Sequence, residues 1–223
     1  MPSIKILTMQ KIIFSVWSDL GQPWSKHKDK LMDLHKNYAD LCGAQYHVFE
    51  TKLDYNQLMF YKIKAAEFFV HLHDEVLYLD MDVVPKTKYS FFDMHDFDNV
   101  LLHRTMKPDW KINLKQMMLI NEDIKSDDFI ANTGVFGLNK NSARKLKFSE
   151  RLEEAEKLHS EVDTNDLYLP NNEVYMSYII EKYNVPFKDI GMQWNFILDH
   201  TFYSETAACH FVHYSNKELL CAL

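Results

Sequence analysis

The stretch Val76-Leu77-Tyr78-Leu79-Asp80-Met81-Asp82-Val83-Val84-Pro85 sets four apolar residues, with no polar alternation, directly ahead of two carboxylates. Such a run reads as a strand covered on both faces. Charges at the end of it are costly unless they are paired or bind a metal. Spaced two apart, Asp80 and Asp82 can converge on one divalent ion, and open α/β sheets bind ligands at the carboxyl ends of their strands. The Asp-x-Asp string alone is common, since about one or two copies arise by chance in a chain this rich in Asp. Asp96-Phe97-Asp98 is a second copy, in a turn-like setting. Context distinguishes the first copy. Its ordinary alternative is a pair of helix-capping or salt-bridged aspartates.

The chain ahead of this stretch alternates in type. Ile12 to Trp17 is short, apolar and β-rich and is closed by Ser18, Asp19, Gly21 and Pro23, as a buried strand would be. From Ser25 the spacing turns helical, with Leu31, Leu34, Tyr38 and Leu41 on one face and Gly43 as the C-cap. Tyr46 to Phe49 reads as a second strand, and Leu58, Tyr61, Ala65, Phe68 and Leu72 as the apolar face of a second helix. Strand, helix, strand, helix, strand predicts an α/β fold with right-handed crossovers. Further on, Val100 to His103, Val135 to Leu138 and Phe211 to Tyr214 read as strands. Asn141 is placed as the cap of a helix carrying Leu146, Leu152, Ala155 and Leu158, and Asn171 as the cap of another through Val174, Tyr178 and Ile179. The segment from Met106 to Asp128 carries no motif and reads as a loop. No composition break divides the chain, so residues 1–223 are read as a single domain.

Of the 223 residues, 47% are hydrophobic and 14% aromatic, which excludes a disordered chain. The formal charge of -7 argues against broad nucleic-acid binding. No segment approaches the ~20 apolar residues of a membrane span, and Ile12 to Trp17 is too short for a signal peptide's core. Cys42, Cys209 and Cys221 form no even framework and no Cys-x-x-Cys pair, as expected in a reducing compartment. The five glycines assemble neither a Walker A loop nor a Gly-x-Gly-x-x-Gly fingerprint.

Several further segments, in order, resemble the metal-dependent glycosyltransferases of the GT-A fold. The similarity is greatest to the branch holding glycogenin, bacterial lipopolysaccharide galactosyltransferases, and plant and yeast xylosyl- and galactosyltransferases. Asn37-Tyr38-Ala39 followed by Gly43 and Tyr46 is similar to that family's first helix and second strand. Tyr61-Lys62-Ile63 resembles its Trp-x-Lys-Ile helix, and Asn132-Thr133-Gly134-Val135 its Asn-Ser/Thr-Gly-Val strand. Asn172-Glu173 falls where the family opens a helix with Asp-Gln or Asp-Glu. Here an amide takes the acid's place and an acid follows. Gln193-Trp194-Asn195, and Phe211-Val212-His213-Tyr214 with Lys217, resemble the late Trp-Asn and terminal His motifs.

The resemblance implies a GT-A sheet, mostly parallel and flanked by helices, and transfer of a sugar from a nucleotide-diphosphate donor, UDP-linked, to a glycan or other hydroxyl acceptor. It implies that Asp82 and His213 ligate the metal, with His210 as the competing imidazole, and that Asp80 ligates it or holds the ribose. Oxygen ligands with one imidazole suit Mn²⁺, with Mg²⁺ as the other candidate. Ser15 and Trp17 are implied at the base and ribose, Lys62 and Met81 at the nucleotide, and Lys217 at the departing phosphate. Asn132 should face the donor sugar, and Asn172 or Glu173 should stand beside the anomeric carbon, with retention of configuration. Members of the secretory pathway carry a membrane helix and stem. This chain shows neither, so the resemblance points to a cytoplasmic enzyme, bacterial or virus-encoded, or to a domain excised from a longer chain. Two other readings compete, beside a nucleotidyltransferase, whose Gly-rich, basic N-terminal loop has no counterpart between Lys11 and Pro23. A haloacid-dehalogenase-like phosphatase would use Asp80 as nucleophile and Asp82 as acid/base, but that family usually places its motif near the N-terminus with Gly-Thr after the second Asp, where Val83-Val84 stands here. The other is an inactive sugar-nucleotide-binding module, in which a complete metal triad would be idle.

Overall fold

The structure, a computed structural model, describes residues 9–21, 23–106, 108–163, 167–198, 209 and 211–214. Its first strand, β1 (Lys11–Ser18), is buried from Ile12 to Ser18. Ile12, Phe14 and Val16 point to one face of the sheet and Ile13 to the other, the two-residue period of a strand. The chain then forms α1 (Lys28–Cys42), β2 (Gln45–Thr51), α2 (Tyr55–Phe69) and β3 (Glu75–Leu79), the alternation the sequence predicts. A short β4 (Val83–Pro85), α3 (Phe91–Met94), β5 (Val100–Thr105), α4 (Asp109–Ile120) and β6 (Ile130–Asn139) follow. The remainder is α5 (Lys140–Leu146), α6 (Phe148–Val162), α7 (Asn172–Lys182), β7 (Phe187–Asp189), β8 (Phe196–Leu198) and β9 (Phe211–Tyr214).

Six strands form the central sheet in the order β2-β1-β3-β6-β5-β7. The pairs β1–β2, β1–β3 and β5–β7 are parallel, and β6 runs antiparallel to both β3 and β5. One reversed strand thus sits inside an otherwise parallel sheet. Ile63, Ala66 and Phe69 of α2, Leu114 and Met118 of α4, Leu152 of α6 and Val174 and Tyr178 of α7 cover one face. Tyr38, Ala39 and Cys42 of α1, with Phe91, Phe92 and Trp194, cover the other. A second, small sheet in the order β4-β9-β8 closes over the carboxyl end of β3. Its own core is Met81, Val84, Phe196, Leu198, Val212 and Tyr214, packed with Trp17 and Leu31.

Two helices are turned relative to their apolar spacing. In α1 the buried residues are Leu31, His35, Tyr38, Ala39 and Cys42, while Leu41 is 48% exposed. In α2 they are Lys62, Ile63, Ala65, Ala66 and Phe69, Phe68 is exposed, and Leu72 lies exposed beyond the helix end. In both cases a polar residue that has hydrogen-bond partners occupies the inner face and displaces an apolar one outward. The helix expected to begin at Asn141 is two helices. Asn139 caps α5, and Lys147 at φ 47° breaks the run. The Glu67 carboxylate of α2 then accepts the amides of Phe148 (2.6 Å) and Ser149 (3.0 Å), capping α6 from outside it. Asn171 caps α7 as predicted, accepting from the amides of Glu173 and Val174. The segment read as a loop from Met106 to Asp128 contains α4. Lys115, fully buried there, donates to the carbonyls of Asp127 (2.6 Å) and Phe129 (2.7 Å) and to Glu181 (2.6 Å).

Fully buried His35 ties β1, α1 and β4 together. Its Nε2 is 2.5 Å from the Val83 carbonyl, which can only accept, so Nε2 carries the proton and Nδ1 accepts from the Ser15 hydroxyl at 3.0 Å. Burial pulls its pKa down to about 4, against the opposing pull of the Val83 carbonyl. Folded His35 therefore stays neutral where the unfolded chain takes up a proton near pH 6.5. Stability should fall as pH drops from 6.5 to 4, by about 3 kcal/mol from this residue, and flatten below. Urea unfolding at stepped pH should show that slope in the wild type and lose most of it in His35→Gln.

Candidate active site

Strand β3 ends at Leu79, and Asp80-Met81-Asp82 makes the turn into β4. Backbone bonds fix that turn. The Asp80 amide donates to the Gly134 carbonyl of β6 (2.8 Å), the Val83 amide to the Asp80 carbonyl (2.9 Å), and the Tyr214 amide of β9 to the Asp82 carbonyl (2.9 Å). The β4–β9 register sets Val83 opposite His213, which brings the imidazole beside the turn. Nε2 of His213 lies 3.5 Å from Asp82 Oδ2, and one ligand atom from each of Asp80, Asp82 and His213 lies within 4.8 Å of the others.

Burial pulls the His213 pKa down, with Lys62 acting in the same direction and Asp80 and Glu173 against it, so the imidazole is neutral and its lone pair is available to a metal. Burial opposes ionisation of Asp80. Nevertheless Lys62, His213 and a hydrogen bond from the Tyr78 hydroxyl hold its carboxyl below the usual carboxylate range. Two oxygen donors and a neutral imidazole fit a divalent ion of the Mn²⁺ or Mg²⁺ kind. Behind the imidazole stands Gly134, where a Cβ would come within 2.7 Å of His213 Nδ1 and 3.1 Å of Asn132 Oδ1.

Across the cleft, α7 begins. The Glu173 carboxylate accepts the Thr133 amide at 3.2 Å on Oε1 and the Lys111 ammonium on Oε2, and the Asn172 amide donates to the Thr133 hydroxyl at 2.9 Å. Trp17, Lys62, Asp80, Met81, Asp82, Asn172, Glu173 and His213 line one cleft of about 240 Å³. Ser15 is not brought there: it is fully buried on the α1 side of β1, bonded to His35. Asn132 lies behind the lining, where its carbonyl oxygen accepts the Gly134 amide (2.9 Å) and the Asn195 amide (2.6 Å). Lys217 and the competing His210 fall outside the described residues.

The sequence reading missed Tyr78 and Lys111. Tyr78 was legible, because residues two apart on a strand share a face and Tyr78 therefore points with Asp80. Nothing local marks Lys111, which reaches Glu173 only because α4 packs on α7.

No protein-family model matches the chain, and no curated protein is similar to it at the sequence level. Solved structures are similar. A glycosyltransferase involved in glycosylation of the major capsid of PBCV-1 superposes with a TM-score of 0.58 at 16% identity, over 95% of this chain and 97% of that one. The chain has the GT-A glycosyltransferase fold. The galactosyltransferase LgtC, solved with donor and acceptor sugar analogues, gives 0.57 at 12% identity, over 96% and 94% of the two chains. Mouse xyloside xylosyltransferase 1 gives 0.52 at 13%, over 93% and 98%.

In this GT-A chain the absent side chain at Gly134 makes room for the imidazole. Gly134→Ala should displace His213 at a stability cost of about 1–3 kcal/mol, the usual range for overpacking. Calorimetric titration should show Mn²⁺ affinity reduced at least about tenfold, a loss of about 1.4 kcal/mol in binding. Unchanged affinity would separate Gly134 from the ion site.

Proposed function

We propose that the protein is a glycosyltransferase that moves a sugar from a UDP-sugar to a hydroxyl of a glycan acceptor, with Mn²⁺ held by Asp80, Asp82 and His213. The observation that carries this reading is the convergence of those three side chains at the carboxyl end of β3, facing Glu173 and Asn172 across one cleft. The GT-A fold agrees with it. The similar solved structures are glycosyltransferases, which disfavours the phosphatase alternative.

When bound, the divalent ion supplies positive charge to the diphosphate, stabilising the negative charge that builds as it leaves. The chain's own residues supply position. Trp17 and Ser18, at the end of β1, line the cleft beside the Asp80–Asp82 turn and suit the nucleoside. Lys62 points at Asp80, where the nucleotide is expected, and Lys217 is assigned to the leaving phosphate. Glu173 cannot swing freely, because Lys111 and the Thr133 amide hold both of its oxygens. A fixed carboxylate beneath the sugar stabilises the oxocarbenium-like charge of the transition state. Asn172, whose amide donates to the Thr133 hydroxyl, lines the cleft beside Glu173, and Asn132 orders the strand from behind. Among the described residues lining the cleft, Asp80, Asp82 and Glu173 are the carboxylates. Two belong to the ion site and the third is clamped by Lys111. An inverting enzyme needs a carboxylate base near the acceptor hydroxyl, so this arrangement favours retention of configuration.

Asp82→Ala and His213→Ala should each lower Mn²⁺-supported release of UDP from a UDP-sugar by at least about a thousandfold, with unchanged circular dichroism. Activity persisting in excess EDTA would refute the metal assignment. Glu173→Gln should lower kcat by about a hundredfold or more while leaving the donor Kd within about threefold. The anomeric coupling constant of the product, read by NMR, should report the α configuration from an α-linked donor. A β product would overturn retention.

A further inference from the structure

Lys62 stands on the first aspartate of the ion site. Its ammonium lies 3.2 Å from both Asp80 Oδ1 and Asp80 Oδ2 and 5.0 Å from the centre of the Tyr78 ring. An ionised carboxylate offers about four lone-pair positions. Tyr78 and Lys62 take two on Oδ1 and Lys62 one on Oδ2, which leaves Asp80 a single position on Oδ2. The ammonium has little freedom to retreat. Its side chain is 8% exposed, and it projects from a helix locked by the Asp54–Gln57 capping box and by buried Ile63 and Ala66.

Charge in the cleft sharpens the point. Among the described lining residues, the carboxylates of Asp80, Asp82 and Glu173 are opposed by the ammonium groups of Lys62 and Lys111. The balance is one negative charge, too little for a divalent cation. A diphosphate would supply the difference. Desolvated charge of one sign is costly when uncompensated.

We propose that Lys62 makes divalent-ion binding conditional on the nucleotide diphosphate: its ammonium already satisfies part of Asp80, so ion and nucleotide load together and neither binds tightly alone. This rests on the reading of Asp80, Asp82 and His213 as ion ligands and adds to it a positioning role for Lys62. Linkage makes the effect reciprocal, with the ion raising UDP affinity by the factor by which UDP raises ion affinity.

The test is Mn²⁺ binding without turnover, followed by the electron paramagnetic resonance of free Mn²⁺, with and without UDP. In the wild type UDP should tighten Mn²⁺ binding by about a hundredfold, within the usual range of coupling between two sites. Lys62→Met keeps the stem and removes the charge. It should bind Mn²⁺ alone about tenfold more tightly than the wild type, and UDP should then add less than about tenfold. Lys62→Arg keeps the charge and should behave as the wild type. The inference is overturned if Lys62→Met binds Mn²⁺ alone no more tightly, or if the Met and Arg variants shift alike. Mn²⁺ binding that Asp82→Ala leaves intact would overturn the ion site itself, and the role of Lys62 with it.

Discussion

The turn at Asp80-Met81-Asp82 is held by its backbone before any side chain acts. One strand of the large sheet receives the Asp80 amide through the Gly134 carbonyl, and one strand of the small sheet donates the Tyr214 amide to the Asp82 carbonyl. The two carboxylates therefore project from a turn stapled to both sheets. Their directions depend on the relative placement of β6 and β9 as well as on the turn's own bond from the Val83 amide to the Asp80 carbonyl. Pre-organisation of this kind removes the entropy that loop-borne ligands would lose on binding an ion.

The reversed strand β6 completes this arrangement. Because it runs against β3, its amino-terminal half reaches the edge where β3 ends. Asn132, Thr133 and Gly134 then serve three elements at once. Asn132 receives Asn195 at 2.6 Å, the Thr133 amide goes to Glu173, and the Gly134 carbonyl goes to Asp80. A parallel strand at that place would bring its carboxyl end there instead, with a loop following. The apolar faces of β6 at Val135, Phe136 and Leu138 anchor it in both layers of the core.

Most of the large sheet was legible because covered strands are short apolar runs, and β1, β3, β5 and β6 all carry one, as does β9 of the small sheet. The convergence of Asp80, Asp82 and His213 was legible from the Asp-x-Asp context and from the resemblance around His213. What escaped was polar burial. Hydrophobic spacing assigns Leu41 and Phe68 inward, yet His35 and Lys62 take inner positions because Val83, Ser15 and Asp80 satisfy them. Helix α4 escaped for the same reason: Lys111 and Lys115 look like surface residues in sequence and are held by Glu173 and Glu181 in the fold. Such partners are far apart in the chain, and no local pattern reports them. Ser15 carries the same lesson in reverse, since a strand-end hydroxyl suited to a ligand is spent inside the core.

The pairing of β4 with β9 also bears on how the molecule assembles in time. Asp82 and His213 stand far apart in the chain, one before its middle and the other near the end of the described residues, so bringing them together closes a long loop. The entropic cost of closure grows with the length of chain between them. The β1–β2–β3 unit, built from neighbouring segments, closes much shorter loops and can form early. The strand bearing His213 therefore docks against a sheet that already exists, and it is a four-residue strand held by two short neighbours. Opening of that strand would separate the imidazole from the carboxylates while leaving the large sheet whole, so an ion held by all three side chains would lose one ligand without global unfolding.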